Sequence, residues 1–479
     1  MSVNHLFNFK HLENKYVDFN RERLLPQMSN NEGPRIASGD VNGDGKDDFY
    51  LGGAKNQGGS LFKTSSSGGY DEIKTPFSKD SASEDTDAIF FDSDMDGDLD
   101  LYVTSGGKAF SKYDFALLDR LYINDGKGGV SKSELKLPFI EMISSSTVRA
   151  ADFNLDGDLD LFVGGRFDPQ LYGEPSSSYL LENISKNNFK LSDQNALKNI
   201  GMVTDAALTD VNGDNLPDLI VVGEWMPITI LINEKGGFIE KTSSYGMSHT
   251  SGMWSTIEIV DIDKDGDEDL VLGNIGKNSF CEPGDRMYIN DFDDNGFAEQ
   301  IICHKIGEDF FPIVDRDELL SQVPSLKGKL LYYNDYSEAS MSDIFEEKLI
   351  QGSTILTIDN MASTIYFNEG STYSPIELPS EIQYSNVTAI AVTDVNNDQV
   401  LDIILGGNQE LVKPQFGKQD ASKGWIVQGE IRKGKYNFKN VKSMGIHGSI
   451  RDFEIIKNKN NKILMTAINN DTIQFYNIH

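Results

Sequence analysis

Six times in 479 residues a nine-residue acidic loop runs straight into a short apolar strand, and that repeat leaves few folds open. The copies are Asp40-Val-Asn42-Gly-Asp44-Gly-Lys46-Asp-Asp48, Asp92-Ser-Asp94-Met-Asp96-Gly-Asp98-Leu-Asp100, Asp152-Phe-Asn154-Leu-Asp156-Gly-Asp158-Leu-Asp160, Asp210-Val-Asn212-Gly-Asp214-Asn-Leu216-Pro-Asp218, Asp261-Ile-Asp263-Lys-Asp265-Gly-Asp267-Glu-Asp269 and Asp394-Val-Asn396-Asn-Asp398-Gln-Val400-Leu-Asp402. Phe49-Tyr-Leu-Gly-Gly53, Leu161-Phe-Val-Gly-Gly165 and Ile403-Ile-Leu-Gly-Gly407 follow three of them and read as buried strands ended by glycine turns. A repeat of roughly 50–60 residues with several short strands and no β-α alternation is what a four-stranded propeller blade needs.

The spacing carries a specific chemistry. Calcium takes six to eight oxygen ligands, and a tight loop can aim side chains 1, 3, 5 and 9 and the carbonyl of residue 7 at one centre. The ligand side chains are then Asp40, Asn42, Asp44 and Asp48 in the first loop, with equivalents in each copy, and the carbonyls are those of Lys46, Asp98, Asp158, Leu216, Asp267 and Val400. Glycine at position 6 permits the sharp turn in four copies; Asn215 fills that role in the fourth, and Gln399 is a poorer fit that predicts a weaker sixth site. An EF-hand would place a Glu at position 12, where this chain has Leu51, Val103, Val163, Val221, Leu272 and Leu405. Asp, Asn and Gly are also ordinary turn formers, but six copies with carboxylates at the same offsets favour a metal.

Two segments depart from the repeat. Residues 449–456, 462–468 and 472–476 give about three strands of a seventh blade without a loop, and the alternation over 5–11 offers an N-terminal strand to close it. Closure of this kind removes exposed sheet edges. Residues 315–348 lose strand periodicity and read as a helical insertion over about 307–350, started by an Asp N-cap and broken at Pro324. Just before it, Asp291-Phe-Asp293-Asp-Asn295-Gly-Phe297-Ala-Glu299 repeats the ligand spacing and is a candidate seventh site, with Phe297 supplying the carbonyl. The expected fold is all-β: one seven-bladed β-propeller over 1–479 with calcium loops in most blades.

Composition bounds the partners. A net charge of −32 disfavours nucleic acid, whose binding rests on Lys and Arg neutralising phosphate, and seven bound Ca²⁺ would offset much of it. Cys281 and Cys303 flank the seventh loop and are either a disulfide or two buried thiols. No apolar stretch is long enough to span a membrane and no signal-peptide h-region is present, so an exported protein of this sequence would be a mature fragment. Loops this open suit the high calcium outside cells.

The Asp-x-Asn/Asp-x-Asp-Gly loop followed by an apolar strand and Gly-Gly resembles the FG-GAP repeats of integrin α-chains and the related bacterial VCBS repeats. Asn31-Glu-Gly-Pro34, Asp119-Arg-Leu-Tyr-Ile-Asn-Asp125, Gly164-Gly-Arg166, Gly201-Met-Val-Thr-Asp205, Gly223-Glu-Trp-Met-Pro227 and Gly273-Asn-Ile-Gly276 resemble Bacteroidetes-type extracellular proteins that often carry an ASPIC/UnbV domain, relatives of cartilage acidic protein. That module itself is not recognisable in this chain. The resemblance implies a calcium-loaded, secreted or surface-anchored propeller used for binding or adhesion, and supplies no ligand.

Catalytic signatures are absent. The histidines show no metal spacing, and no nucleophile elbow or phosphate loop is present. Asp87, Arg149, Asp205 and Arg451 lie where inner strands face a central channel, either binding a small ligand or pairing with one another. Trp225, Trp254 and Trp425 either stack on sugars or pack in the core. The leading reading is a non-catalytic extracellular calcium-binding module for a protein or glycan at the cell surface. Its alternatives are a calcium-dependent polysaccharide lyase with Arg166 as candidate base, and a subunit of a surface complex docked through the insertion.

Overall fold

The second strand of each repeat is apolar on both faces because each face meets a different neighbouring sheet. Leu101 and Val103 pack against Tyr50 and Leu61 of the sheet before, while Tyr102 between them packs against Leu161 and Val163 of the sheet after. The same alternation sends Leu219 and Val221 one way and Ile220 and Val222 the other. Period-2 geometry thus turns a continuous apolar run into two half-cores.

The computed structural model describes residues 9–65, 69–138, 143–458 and 461–478. The fold is all-β with a few short helices, and its described strands form eight separate sheets with no closed barrel. Seven of the sheets begin with Ile36–Gly39, Asp85–Phe91, Ser144–Ala151, Met202–Thr209, Thr256–Val260, Ala389–Thr393 and Ile450–Asn458. Each of these strands contacts the next in that order, and the last contacts the first. The return from last to first is also made in the core, where Phe49 and Leu51 pack with Ile463, Met465 and Phe475.

The last sheet has three strands, Ile450–Asn458, Asn461–Ile468 and Gln474–Ile478. Beside it the N-terminal segment bridges Lys10 to Thr472, and the His11 N–H donates to the Asp471 carbonyl at 3.0 Å. Residues 5–8 of the expected closing strand lie outside the described residues.

Residues 315–348 are helical in part, with helices Arg316–Gln322, Tyr333–Ser337, Met341–Ile344 and Glu347–Gln351. Asp315 caps the first by accepting the Glu318 N–H at 2.9 Å, and Pro324 opens a short 3₁₀ turn directly after it. The inserted segment is larger than its helices, however. The fifth sheet runs from Asp269–Gly273 directly to Thr364–Asn368, and everything between is extra. That includes a whole sheet, ordered Asp309–Pro312, Glu299–Ile306, Arg286–Asn290, Thr354–Thr357, so the seventh acidic loop belongs to the insertion. Its strands carry the same apolar pattern as those of the repeats, which is why the sequence does not mark the boundary.

One feature has no periodic signature at all. Residues 13–35 form a strap across the ring at the end away from the six ring loops, with the seventh loop beside it, since Leu24 packs in one cluster with Phe292 and the Arg23 N–H donates to Gln322. Glu22 accepts the Tyr172 N–H at 2.7 Å and Gln300 Nε2 at 2.9 Å, and pairs with Lys108, which is wholly buried. Farther along, the Met28 N–H donates to the Leu411 carbonyl at 2.8 Å and Asn469 Nδ2 donates to the Gly33 carbonyl at 2.6 Å.

Candidate metal centres

Each acidic loop joins the first strand of a sheet to the second, and its first carboxylate organises the turn from within. Asp40 accepts the N–H of Asp44 at 3.0 Å on Oδ1 and that of Gly45 at 2.7 Å on Oδ2. The same pair of bonds recurs on Asp92, Asp152, Asp210, Asp261, Asp291 and Asp394. Residue 6 is left-handed even where it is not glycine: Asn215 has φ 65° and Gln399 φ 68°. The sixth loop therefore reaches the common turn despite its glutamine, at the backbone cost a side chain pays there.

The ninth residue does different work. Asp48, Asp100, Asp160, Asp218, Asp269 and Asp402 are all buried and start the second strand. One oxygen of each accepts a backbone N–H from the third strand of its sheet, from Thr64, Asn124, Asn183, Asn233, Asn368 and Gly429, at 2.7–2.9 Å. In Asp48, Asp100, Asp218, Asp269 and Asp402 the other accepts the N–H of loop residue 2 at 3.0–3.2 Å. Burial, opposed by these bonds, raises the carboxyl of Asp48 and Asp218 to about 6 and of Asp160 and Asp269 to about 7.

The loops are also tied to one another. The asparagine ending a third strand donates Nδ2 to the residue-2 carbonyl of the preceding loop: Asn124 to Val41 at 2.8 Å, Asn183 to Ser93 at 2.8 Å and Asn233 to Phe153 at 2.9 Å. These asparagines were not among the sequence candidates. Their signal is an Asn closing the strings Leu121-Tyr-Ile-Asn124, Leu180-Leu-Glu-Asn183 and Ile230-Leu-Ile-Asn233.

Carboxylate oxygens converge within 4.8 Å of one another in Asp92, Asp94 and Asp96, in Asp261, Asp263 and Asp265, and in Asp291, Asp293 and Glu299. Two oxygens on opposite sides of a calcium ion at about 2.4 Å lie about 4.8 Å apart, so these sets fit one cation. In the other four loops position 3 is Asn42, Asn154, Asn212 or Asn396. The last three turn their carbonyl to the N–H of residue 5 at 2.9 Å. Asn42 Nδ2 instead donates to Asp48 at 3.0 Å. Burial and then neighbouring carboxylates push Asp94 and Asp263 up and bring Asp98 to about 6. The position-9 oxygens keep a second lone pair each, so their backbone bonds do not exclude a metal.

The seventh loop shares the turn but not the tie. Glu299 accepts the Phe292 N–H at 3.0 Å, but its neighbour on the other side is Gln322 of the first helix rather than a third strand. The strand Asp309–Pro312 pairs only with 303–306 and ends before reaching the loop.

The channel charges divide. Arg149 bridges Asp87 at 3.0 Å and Asp205 at 2.5 Å, so these three pair with one another. Asp87, Asp205 and Asp452 each also accept a backbone N–H from the adjoining first strand, of Val148, Ile257 and Ile36, at 2.8–3.0 Å. Arg451 joins none of this. Arg166, the candidate lyase base, sits about 20 Å along its strand from loop residue Asp160 and pairs with Glu32 and Glu224. Trp225 and Trp254 are buried in the core and present no face to a sugar, while Trp425 is half-buried against the core of the fifth and sixth sheets. Cys281 and Cys303 are both buried, unpaired thiols.

No helix among the described residues is long and apolar enough to cross a membrane. No curated protein matches the sequence. Among solved structures, the Vibrio cholerae biofilm matrix protein Bap1 aligns at 9% identity over 99% of this chain and 91% of that one, with a TM-score of 0.39. BBS1N in complex with ARL6DN aligns at 8% identity over 82% of this chain and 91% of that one, with a TM-score of 0.32. A family model for the FG-GAP-like repeat matches residues 92–163 and 210–272, which contain the second to fifth acidic loops, and these two stretches are FG-GAP-like repeats.

Proposed function

We propose that the chain is a seven-bladed β-propeller of the extracellular space, loaded with about six or seven calcium ions, that binds a protein or glycan ligand without catalysing a reaction. The observation that carries this reading is the double duty of the ninth loop residue. It stands where the loop spacing puts the last side-chain ligand, and its buried carboxylate ties the second strand to the third. Calcium at such a loop fixes blade geometry and performs no chemistry on a substrate. The ligand then meets surfaces outside the loops.

Elemental analysis after equilibrium dialysis against calcium tests the metal directly. Six or seven ions per chain are expected. A chain that retains none, at calcium concentrations found outside cells, would overturn the reading.

A further inference from the structure

At the strap end of the channel lies a cavity of about 60 Å³, lined by Arg35, Arg166 and Arg451 together with Glu32 and Glu224. One water needs about 10–15 Å³ of such space, so the cavity holds a few waters or one small polyatomic ion. Two of the arginines are occupied. Arg166 pairs with Glu32 and, at 3.1 Å, with Glu224; Arg35 Nη1 donates to the Arg451 carbonyl at 3.0 Å. The third is not: Arg451 is 7% exposed, its Nε is buried without a hydrogen-bond partner, and it forms no ion pair among the described residues.

A buried guanidinium with unpaired donors is costly, and a second and third cation nearby add to the cost. Burial first, then Arg35 and Arg166, lowers Arg451 to about 10, against partial relief from Glu13 and Glu410. Among the residues that line the cavity, three arginines face two glutamates, with Glu13 and Glu410 acting on Arg451 from outside the lining. The fork of an arginine matches two oxygens in one plane.

We propose that this cavity binds a small monovalent carboxylate, gripped by Arg451 with Arg35 beside it, beneath the strap formed by residues 13–35. The space admits a group the size of formate or acetate and excludes a sugar ring. The site lies at the opposite end of the second strands from the six ring loops, so it does not depend on calcium at those loops.

The test uses the full chain, saturated with calcium, in chloride buffer. Formate, acetate, phosphate and sulfate are added separately at millimolar concentration, and binding is read by titration calorimetry and Tm. Formate and acetate are expected to bind and raise Tm. Arg451→Gln is expected to weaken their binding by about tenfold or more, the worth of one charge-assisted hydrogen bond. Arg451→Lys, which keeps the charge and loses the fork, is expected to recover only part of the affinity. If Arg451→Gln does not fold, Arg451→Lys and Arg35→Lys carry the comparison. Wild-type protein that binds no carboxylate, binds only phosphate or sulfate, or retains full affinity in the arginine variants would overturn the proposal.

Discussion

The two ends of the ring are built on opposite principles. At the loop end, carboxylates recur at fixed offsets, and buried ones are satisfied by backbone N–H groups, as Asp218 is by Asn233 and Val211. At the strap end, buried charges come in dissimilar pairs drawn from distant parts of the chain, such as Glu22 with Lys108 and Arg166 with Glu32. The first arrangement repeats with the sheet and leaves spare lone pairs for cations. The second happens once and leaves the Arg451 Nε without a hydrogen-bond partner among the described residues.

Removing one charge should separate the ends most clearly. Glu22→Ala strands the wholly buried Lys108, and a buried ion broken from its partner costs about 3–5 kcal/mol. Asp218→Ala at the loop end leaves two buried N–H groups unpaired, at about 1–3 kcal/mol each, but also removes a carboxylate whose ionised form burial disfavours, so the net loss in chelated protein is expected to be the smaller. Urea unfolding of both variants in EGTA measures the difference; equal losses would erase the distinction. If Asp218 is the calcium ligand proposed above, the Asp218→Ala loss should grow in calcium, whereas the Glu22→Ala loss should not.

A smaller effect comes from the acidic wall of the channel between the two ends. Burial, and then neighbouring carboxylates, raises Glu258 to about 7; burial, against a bond from Ser38, raises Glu454 to about 7. A carboxyl whose folded pKa lies above its unfolded one stabilises the fold at low pH and loses that contribution as pH rises through the folded value. Calcium-free protein should therefore gain several degrees in Tm as pH falls from about 8 to about 5. The buried loop aspartates act in the same direction, so Glu258→Gln should flatten the profile without abolishing it. A Tm that falls over that range would contradict the assignment of these groups.

The same contrast explains what the sequence reveals. Loop spacing, the all-β class and the three strands after residue 449 follow from short-range patterns that repeat with the sheet. The charge trio of Asp87, Arg149 and Asp205 was legible as to position, because each lies just upstream of a loop, and mutual pairing was one of its two readings; the neighbouring strands were needed to decide between them. The strap was not legible, since residues 13–35 have neither period-2 nor helical spacing and are held by partners as distant as Asn469. The insertion was legible only where its helices interrupt the pattern. Its sheet repeats the strand pattern, and Glu299 repeats the loop, without the third-strand bond that the six ring loops share.

Calorimetric melting of metal-free protein, titrated with calcium, tests the fastening role of the loops most directly. At calcium about a hundredfold above the dissociation constant each site adds about 2.7 kcal/mol. With unfolding entropy near 2.1 cal/mol/K per residue, six such sites raise Tm by roughly 15 °C. A rise of that order, reversed by EGTA, is the expected result. A melting curve that does not move between EGTA and saturating calcium would show that the acidic loops hold the ring without metal.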